Sequence, residues 1–190
     1  MELDKSNSPH LIIVTGIPGS GKSYFCEKFS ESFKAPLVSE EQIRNKLFAD
    51  KSYGTKENQT VDNVVNMLLD ELLKTNKTII YRGNTDQKNT RAELYKKCKQ
   101  FGYIPMLIWV QTDQATAKKR FIKKLNVNTS TEIFDNKFTK FCQPSQNEKP
   151  LVISGKHPYS NQLKIVLQQL LSNNSSLSNS RQTERYNFIR

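Results

Sequence analysis

Gly16-Ile17-Pro18-Gly19-Ser20-Gly21-Lys22-Ser23 lies between the apolar run Leu11-Ile12-Ile13-Val14 and Tyr24-Phe25-Cys26-Glu27-Lys28-Phe29, whose apolar residues are spaced for a helix. Strand, glycine loop and helix in that order are the context in which G-x-x-x-x-G-K-[ST] reads as a phosphate cradle rather than a chance turn. Glycines let backbone N–H groups turn inward around phosphate oxygens, and the helix N-terminus adds positive potential. In this reading Ile17, Pro18, Gly19, Ser20 and Gly21 form the cradle. Lys22 reaches the β- and γ-phosphates, and Ser23 holds Mg²⁺ through its hydroxyl. The expected ligand is ATP or GTP with Mg²⁺.

Outward from the loop, strands and helices alternate. Residues 10–15 read as a strand and 22–33 as the helix carrying the loop. Pro36-Leu37-Val38 reads as a second strand, and Ser39-Glu40-Glu41-Gln42 has capping-box form and opens a helix to about Ala49. Val61, Val64, Val65, Leu68, Leu69, Leu72 and Leu73 recur at helical spacing. Further strands are expected at 78–81, 104–110 and 151–153, with helices at 90–101, 113–125, 132–142 and 160–171. Alternation of this kind predicts an α/β fold: a five-stranded, mostly parallel sheet flanked by helices, with ligands at the carboxyl ends of the strands. Residues 1–9 read as a flexible start, 10–171 as one domain, and 172–190 as a polar, disordered tail beginning Ser172-Asn173-Asn174-Ser175-Ser176.

Composition narrows the partners. The chain has 190 residues and a formal net charge of +11, which attracts nucleotides, phosphorylated metabolites or nucleic acid, or else reflects a lysine- and asparagine-rich composition alone. No apolar run is long enough to span a membrane and the first residues carry no signal-peptide core, so a cytoplasmic protein is expected. Cys26, Cys98 and Cys142 are few and scattered, which argues against a disulfide framework or a zinc site and suggests three small buried apolar groups.

Phosphoryl transfer also needs a group to orient or deprotonate the acceptor, and positive charge on the migrating phosphoryl. Glu41 and Arg44, one helical turn apart after the second strand, share a face. Glu41 can accept a proton from a substrate hydroxyl, and Arg44 can orient a phosphate; the same spacing also suits a plain surface ion pair. Arg120 and Lys124, within Lys118-Lys119-Arg120 and Lys123-Lys124, lie on one helical face and form either a lid over the triphosphate, spanning about 118–130, or a solvated basic face. Gly155, Lys156 and His157 follow the fifth strand, where a loop can flank the nucleotide base; His157 reads equally well as a surface turn residue.

The stretch from Leu11 to about Leu125 resembles the small P-loop kinases grouped with zeta toxins and with the kinase domain of polynucleotide 5′-kinases, which often carry the label AAA family ATPase. Their pattern is G-x-P-G-S-G-K-[ST], an acidic residue three before an arginine after the second strand, D-x-[TN] after the third and basic lid residues after the fourth. Gly16 to Ser23, including Pro18, matches the first element, and Glu41 with Arg44 the second, Glu standing for the usual Asp. Arg91 with Leu94, and Phe101-Gly102-Tyr103, resemble the helix and turn before the fourth strand; Ser130 to Pro144 is similar to the segment before the fifth. The resemblance implies a P-loop NTPase of nucleoside-kinase-like three-layer form. It also implies a lid of Arg120 and Lys124, and transfer of the γ-phosphate to a hydroxyl of a nucleoside, nucleotide, nucleic-acid 5′-end or small metabolite. The alternatives are a non-catalytic nucleotide-binding protein and a nucleic-acid-associated ATPase. One position departs from the pattern: Arg82 stands where the family places the aspartate that orders the metal's water shell. Either Asp86 or Glu40 replaces it, or Arg82 binds a phosphate, or the chain binds nucleotide without turnover.

Overall fold

The computed structural model describes residues 9–125 and 130–172; the expected flexible start, the last part of the lid and nearly all of the polar tail lie outside them. Strands β1 (His10–Thr15), β2 (Leu37–Ser39), β3 (Ile79–Arg82), β4 (Ile104–Gln111) and β5 (Leu151–Ser154) form one sheet in the order β2-β3-β1-β4-β5. Every pairing is parallel, so the sheet is wholly rather than mostly parallel. Helices α1 (Lys22–Phe33), α2 (Glu40–Leu47), α3 (Thr55–Leu73), α4 (Lys88–Phe101), α5 (Gln114–Leu125) and α6 (Ser130–Lys140) follow in chain order, and α7 covers 159–172. A short 3-10 turn, Gln146–Glu148, precedes β5.

The alternation of side chains in β1 explains the three layers. Leu11 and Ile13 face a cluster with Val61, Val65, Leu69 and Leu73 of α3 and Leu94 and Cys98 of α4. Ile12 and Val14 face the opposite cluster with Phe25, Cys26 and Phe29 of α1 and Val166 and Leu170 of α7. All six residues of β1 are buried, as expected for the central strand of a sheet covered on both faces. Burial of a side chain the size of Phe or Leu stabilises the fold by roughly 1.5–3 kcal/mol, so β1 and the helices packed on both its faces form the base of the loop.

Local signals set the element ends. Ser39 accepts a bond from the Gln42 N–H at 3.2 Å and caps α2, and Asp113 accepts one from the Thr116 N–H at 2.9 Å at the start of α5. Gly102 ends α4 in the left-handed region, with the Tyr103 N–H donating to the Cys98 carbonyl at 2.8 Å. Two expectations need correction. Arg82 is the last residue of β3 rather than part of the following loop, because it pairs in register with Ser39 of β2. Cys142 is exposed, while Cys26 and Cys98 are buried and their thiols are pushed up to about 12 by burial.

Candidate active site

The phosphate loop joins β1 to α1 at the carboxyl edge of the sheet, and its outer wall is built from the ends of β4 and β5. The Thr112 hydroxyl donates to the Ser20 carbonyl at 2.9 Å. At Gly155 a side chain would run into that carbonyl and into the Thr112 hydroxyl, and at Gly19 (φ 75°) into the Ala117 carbonyl of α5. Gly155 therefore braces the loop itself. His157 is exposed, and Lys156 pairs with Asp113. Ile17 packs with Ala117 and Phe134, and Phe121 and Phe138 close over them, so the α5–α6 pair is seated on the loop.

Lys22 begins α1, and its ammonium donates to the Ile17 carbonyl at 3.0 Å and to the Gly16 carbonyl. Burial pulls its pKa down to about 8, against the opposing field of Asp86; Arg82 adds to the lowering. Asp86 itself is raised by burial, with Lys22 and Lys137 opposing. Ser20, expected from the motif as part of the cradle, has a buried hydroxyl that lacks a hydrogen-bond partner.

Arg82 is the centre of the site. One of its terminal nitrogens donates to the Ser23 hydroxyl at 2.7 Å and to Glu41 Oε2 at 2.9 Å. The other donates to the Ser39 hydroxyl at 2.6 Å. Its Nε is buried without a partner. Lys124 grips the second oxygen of Glu41 at 3.0 Å. Burial works to raise the Glu41 pKa, but the hydrogen bonds from Arg82 and Lys124 outweigh it and hold the carboxyl down at about 2. Glu41 is thus ionised across the physiological range, at the N-terminal end of α2 and one guanidinium away from the phosphate loop.

Arg44 is placed differently. It is buried, and donates to Glu57 Oε1 at 2.6 Å and to Glu40 Oε1 at 3.0 Å, with Tyr53 5.0 Å from its guanidinium carbon. Glu57 also accepts from the Ser52 N–H, the Ser52 hydroxyl and the Tyr53 N–H at 2.7, 2.8 and 3.0 Å. The Glu41–Arg44 pair suggested by spacing is replaced by Glu40–Arg44–Glu57, because α3 brings a buried carboxylate to the other side of the arginine. Arg44 ties α2 to α3 and fixes the 52–57 segment. Arg120 of α5 is exposed and donates to the Gly155 carbonyl at 2.9 Å, against the outer wall of the loop.

The residues around Ser23 do not fit a bound Mg²⁺. The Ser23 hydroxyl is engaged by a cation, Glu40 is committed to Arg44, and Glu41 is held by two cations. Among the described residues no group of three or more His, Cys, Asp or Glu side chains is arranged to hold a metal. A double positive charge about 4 Å from a guanidinium is repelled by roughly 8 kcal/mol at an effective dielectric constant near 20, so the arginine opposes an ion there.

The sequence profile described as an AAA domain matches residues 11–140, from β1 to the end of α6. The chain belongs to the AAA-domain family. No curated protein matches it. The AAA-domain chain has the fold of several solved structures. A gluconokinase from Sinorhizobium meliloti 1021 superposes with a TM-score of 0.66 at 12% identity, covering 92% of this chain and 98% of that one. The Mycobacterium tuberculosis APS kinase CysC, in complex with AMPPNP and APS, gives 0.65 at 16% identity, with 87% and 99% covered. A sugar kinase from Janibacter sp. HTCC2649 gives 0.62 at 11% identity, with 84% and 93% covered. Among the described residues of the AAA-domain chain, no helix is long and apolar enough to cross a membrane.

Proposed function

We propose that the chain is a phosphotransferase that binds ATP or GTP in the Gly16–Ser23 loop and moves the γ-phosphate to a hydroxyl of a small molecule or nucleic-acid 5′-end. The observation that carries this reading is the position of Glu41: an ionised carboxylate shares one guanidinium nitrogen of Arg82 with the Ser23 hydroxyl of the phosphate loop. A hydroxyl bonded to Glu41 faces the site of the terminal phosphoryl; Glu41 takes the hydroxyl proton as the new P–O bond forms and the bond from the γ-phosphorus to the β,γ-bridging oxygen breaks, leaving the nucleoside diphosphate. The backbone of Ile17 to Gly21 cradles the phosphates, and Lys22 swings from the Gly16 and Ile17 carbonyls onto the β/γ-oxygens. Arg44 serves as a positioning residue that holds the α2–α3 side of the acceptor pocket. Lys124, already on Glu41, and Arg120 close from α5 as the lid and exclude water. Gly155, Lys156 and His157 border the base. The kinase names of the structural neighbours support the reaction class. Pro18 and the Glu41-to-Arg44 spacing support the narrower grouping with zeta toxins and polynucleotide 5′-kinases.

The test is transfer of labelled γ-phosphate from ATP across a panel of nucleosides, nucleotides, sugars and 5′-hydroxyl oligonucleotides. Transfer to one class is expected, and Glu41→Gln is expected to lower it by about 10²–10⁴-fold with nucleotide affinity nearly unchanged. Transfer that survives Glu41→Gln at a normal rate removes Glu41 from the role of base. Arg82 on Ser23 favours a second reading, a nucleotide-binding module without turnover; tight binding with no transfer to any member of the panel would establish it instead.

A further inference from the structure

We propose that Arg82 takes the place of the divalent ion, so that the ligand of this phosphate loop is the metal-free nucleoside triphosphate. The proposal rests on the nucleotide-binding reading of the loop and concerns which cation accompanies the phosphates.

Three observations converge on it. The guanidinium sits on the Ser23 hydroxyl at 2.7 Å, the oxygen that the loop motif assigns to the metal. Arg82 is 8% exposed, yet its Nε has no partner, and its one carboxylate, Glu41, is 48% exposed and shared with Lys124. Its charge is therefore less fully neutralised than that of the other two buried arginines. Arg44 has carboxylates on two sides, and Arg91 has both oxygens of one, Glu148. Lys22 stands close enough for Arg82 to depress its pKa, so two cations converge at the mouth of the loop, and the half-buried Asp86 is the carboxylate that acts most on Lys22. A planar guanidinium presents several N–H donors in a fork that matches phosphate oxygens, and it needs no ligand cage of its own. Arg82 bonded to Ser23 thus supplies what a metal would otherwise supply: a positive charge anchored to the first turn of α1, beside the phosphate loop.

Calorimetric titration of the full chain with ATP, once with Mg²⁺ and once with excess EDTA, tests this without any variant. Affinity in EDTA equal to or higher than that in Mg²⁺ is expected, because Mg²⁺ complexes the nucleotide and withdraws its metal-free form. Affinity weaker in EDTA than in Mg²⁺ overturns the proposal and leaves the nucleotide reading standing. Absence of heat in both buffers overturns both. Arg82→Asp restores an acidic residue next to Ser23. It is expected to weaken metal-free binding by about 10–100-fold and to recover it when Mg²⁺ is added. If Arg82→Asp binds metal-free ATP as well as the parent does, the role does not belong to Arg82. Arg82→Lys, which keeps the charge should Arg82→Asp fail to fold, is expected to retain metal-free binding within about tenfold, and loss of all such binding counts against a charge-based role.

Discussion

Arg82 and Arg91 lie at opposite ends of the same connection, the segment that leaves β3 and enters α4, and both are buried, yet they are partnered in opposite ways. Arg91 is fully enclosed. It donates to Glu148 Oε1 at 2.7 Å and Oε2 at 3.1 Å, and to the carbonyls of Thr85 and Cys142 at 2.9 and 3.0 Å. Glu148, its side chain 9% exposed, is bonded to the Ser145 N–H and hydroxyl, and the hydrogen bond from Arg91 is the main cause that holds its carboxyl at about 2. The Thr85 hydroxyl and carbonyl clasp the end of β1 through Val14 and Thr15, and the Asp86 carbonyl accepts from the Cys142 N–H. This corner is a closed polar network in which the lone pairs and protons of the ion pair are used. Arg82, by contrast, leaves one donor unused and relies on a carboxylate that is open to water. The difference teaches that Arg91 holds the fold, and that Arg82 is kept as a charge for something that binds.

The largest expected effect breaks the comparison directly. Arg91→Leu strands Glu148 in the interior and is expected to cost about 3–5 kcal/mol of stability, a loss of roughly 10 °C in thermal unfolding for a chain of this size. Arg82→Leu is expected to cost less than half as much, because Glu41 regains water; equal losses in a calorimetric scan would make Arg82 another structural arginine.

A smaller effect sharpens the contrast through pH. Lys22, lowered by burial to about 8, loses its proton as pH rises through that value, and the charged form is the one that binds phosphate. Nucleotide affinity is therefore expected to fall about tenfold between roughly pH 7 and pH 9. A flat profile would take Lys22 out of the site. The smallest effect concerns the lid. Lys124 and Glu41 are 65% and 48% exposed, so Lys124→Ala is expected to change stability in denaturant titration by at most about 1 kcal/mol. A loss beyond about 2 kcal/mol would mean that this contact belongs to the core rather than to a closing element.

Much of the molecule was legible along the chain. The bounds of α1 at 22–33, the Ser39 and Asp113 caps and the Gly102 stop all appear as read, since each depends on residues within one or two turns. The site was legible in parts. The loop and Glu41 stand out by motif and by position after a strand, and Arg82 stands out as a departure from the family pattern. Arg44 was visible too, but its true partner, Glu57, belongs to a different helix, and the signal in sequence pointed to Glu41 instead.

Local pattern by itself determined that strands and helices alternate and that a phosphate cradle follows the first strand. Backbone preference, hydrophobic period and glycine freedom act over a few residues, so they can be read in order. Tertiary structure alone decided that β3 lies between β2 and β1, and with it that Arg82 meets Ser23 across 59 residues and Glu41 across 41, and that Lys124 reaches Glu41 across 83. Parallel neighbours are joined by long crossovers, so which side chains share a strand edge depends on the packing of the whole sheet and not on any stretch of it.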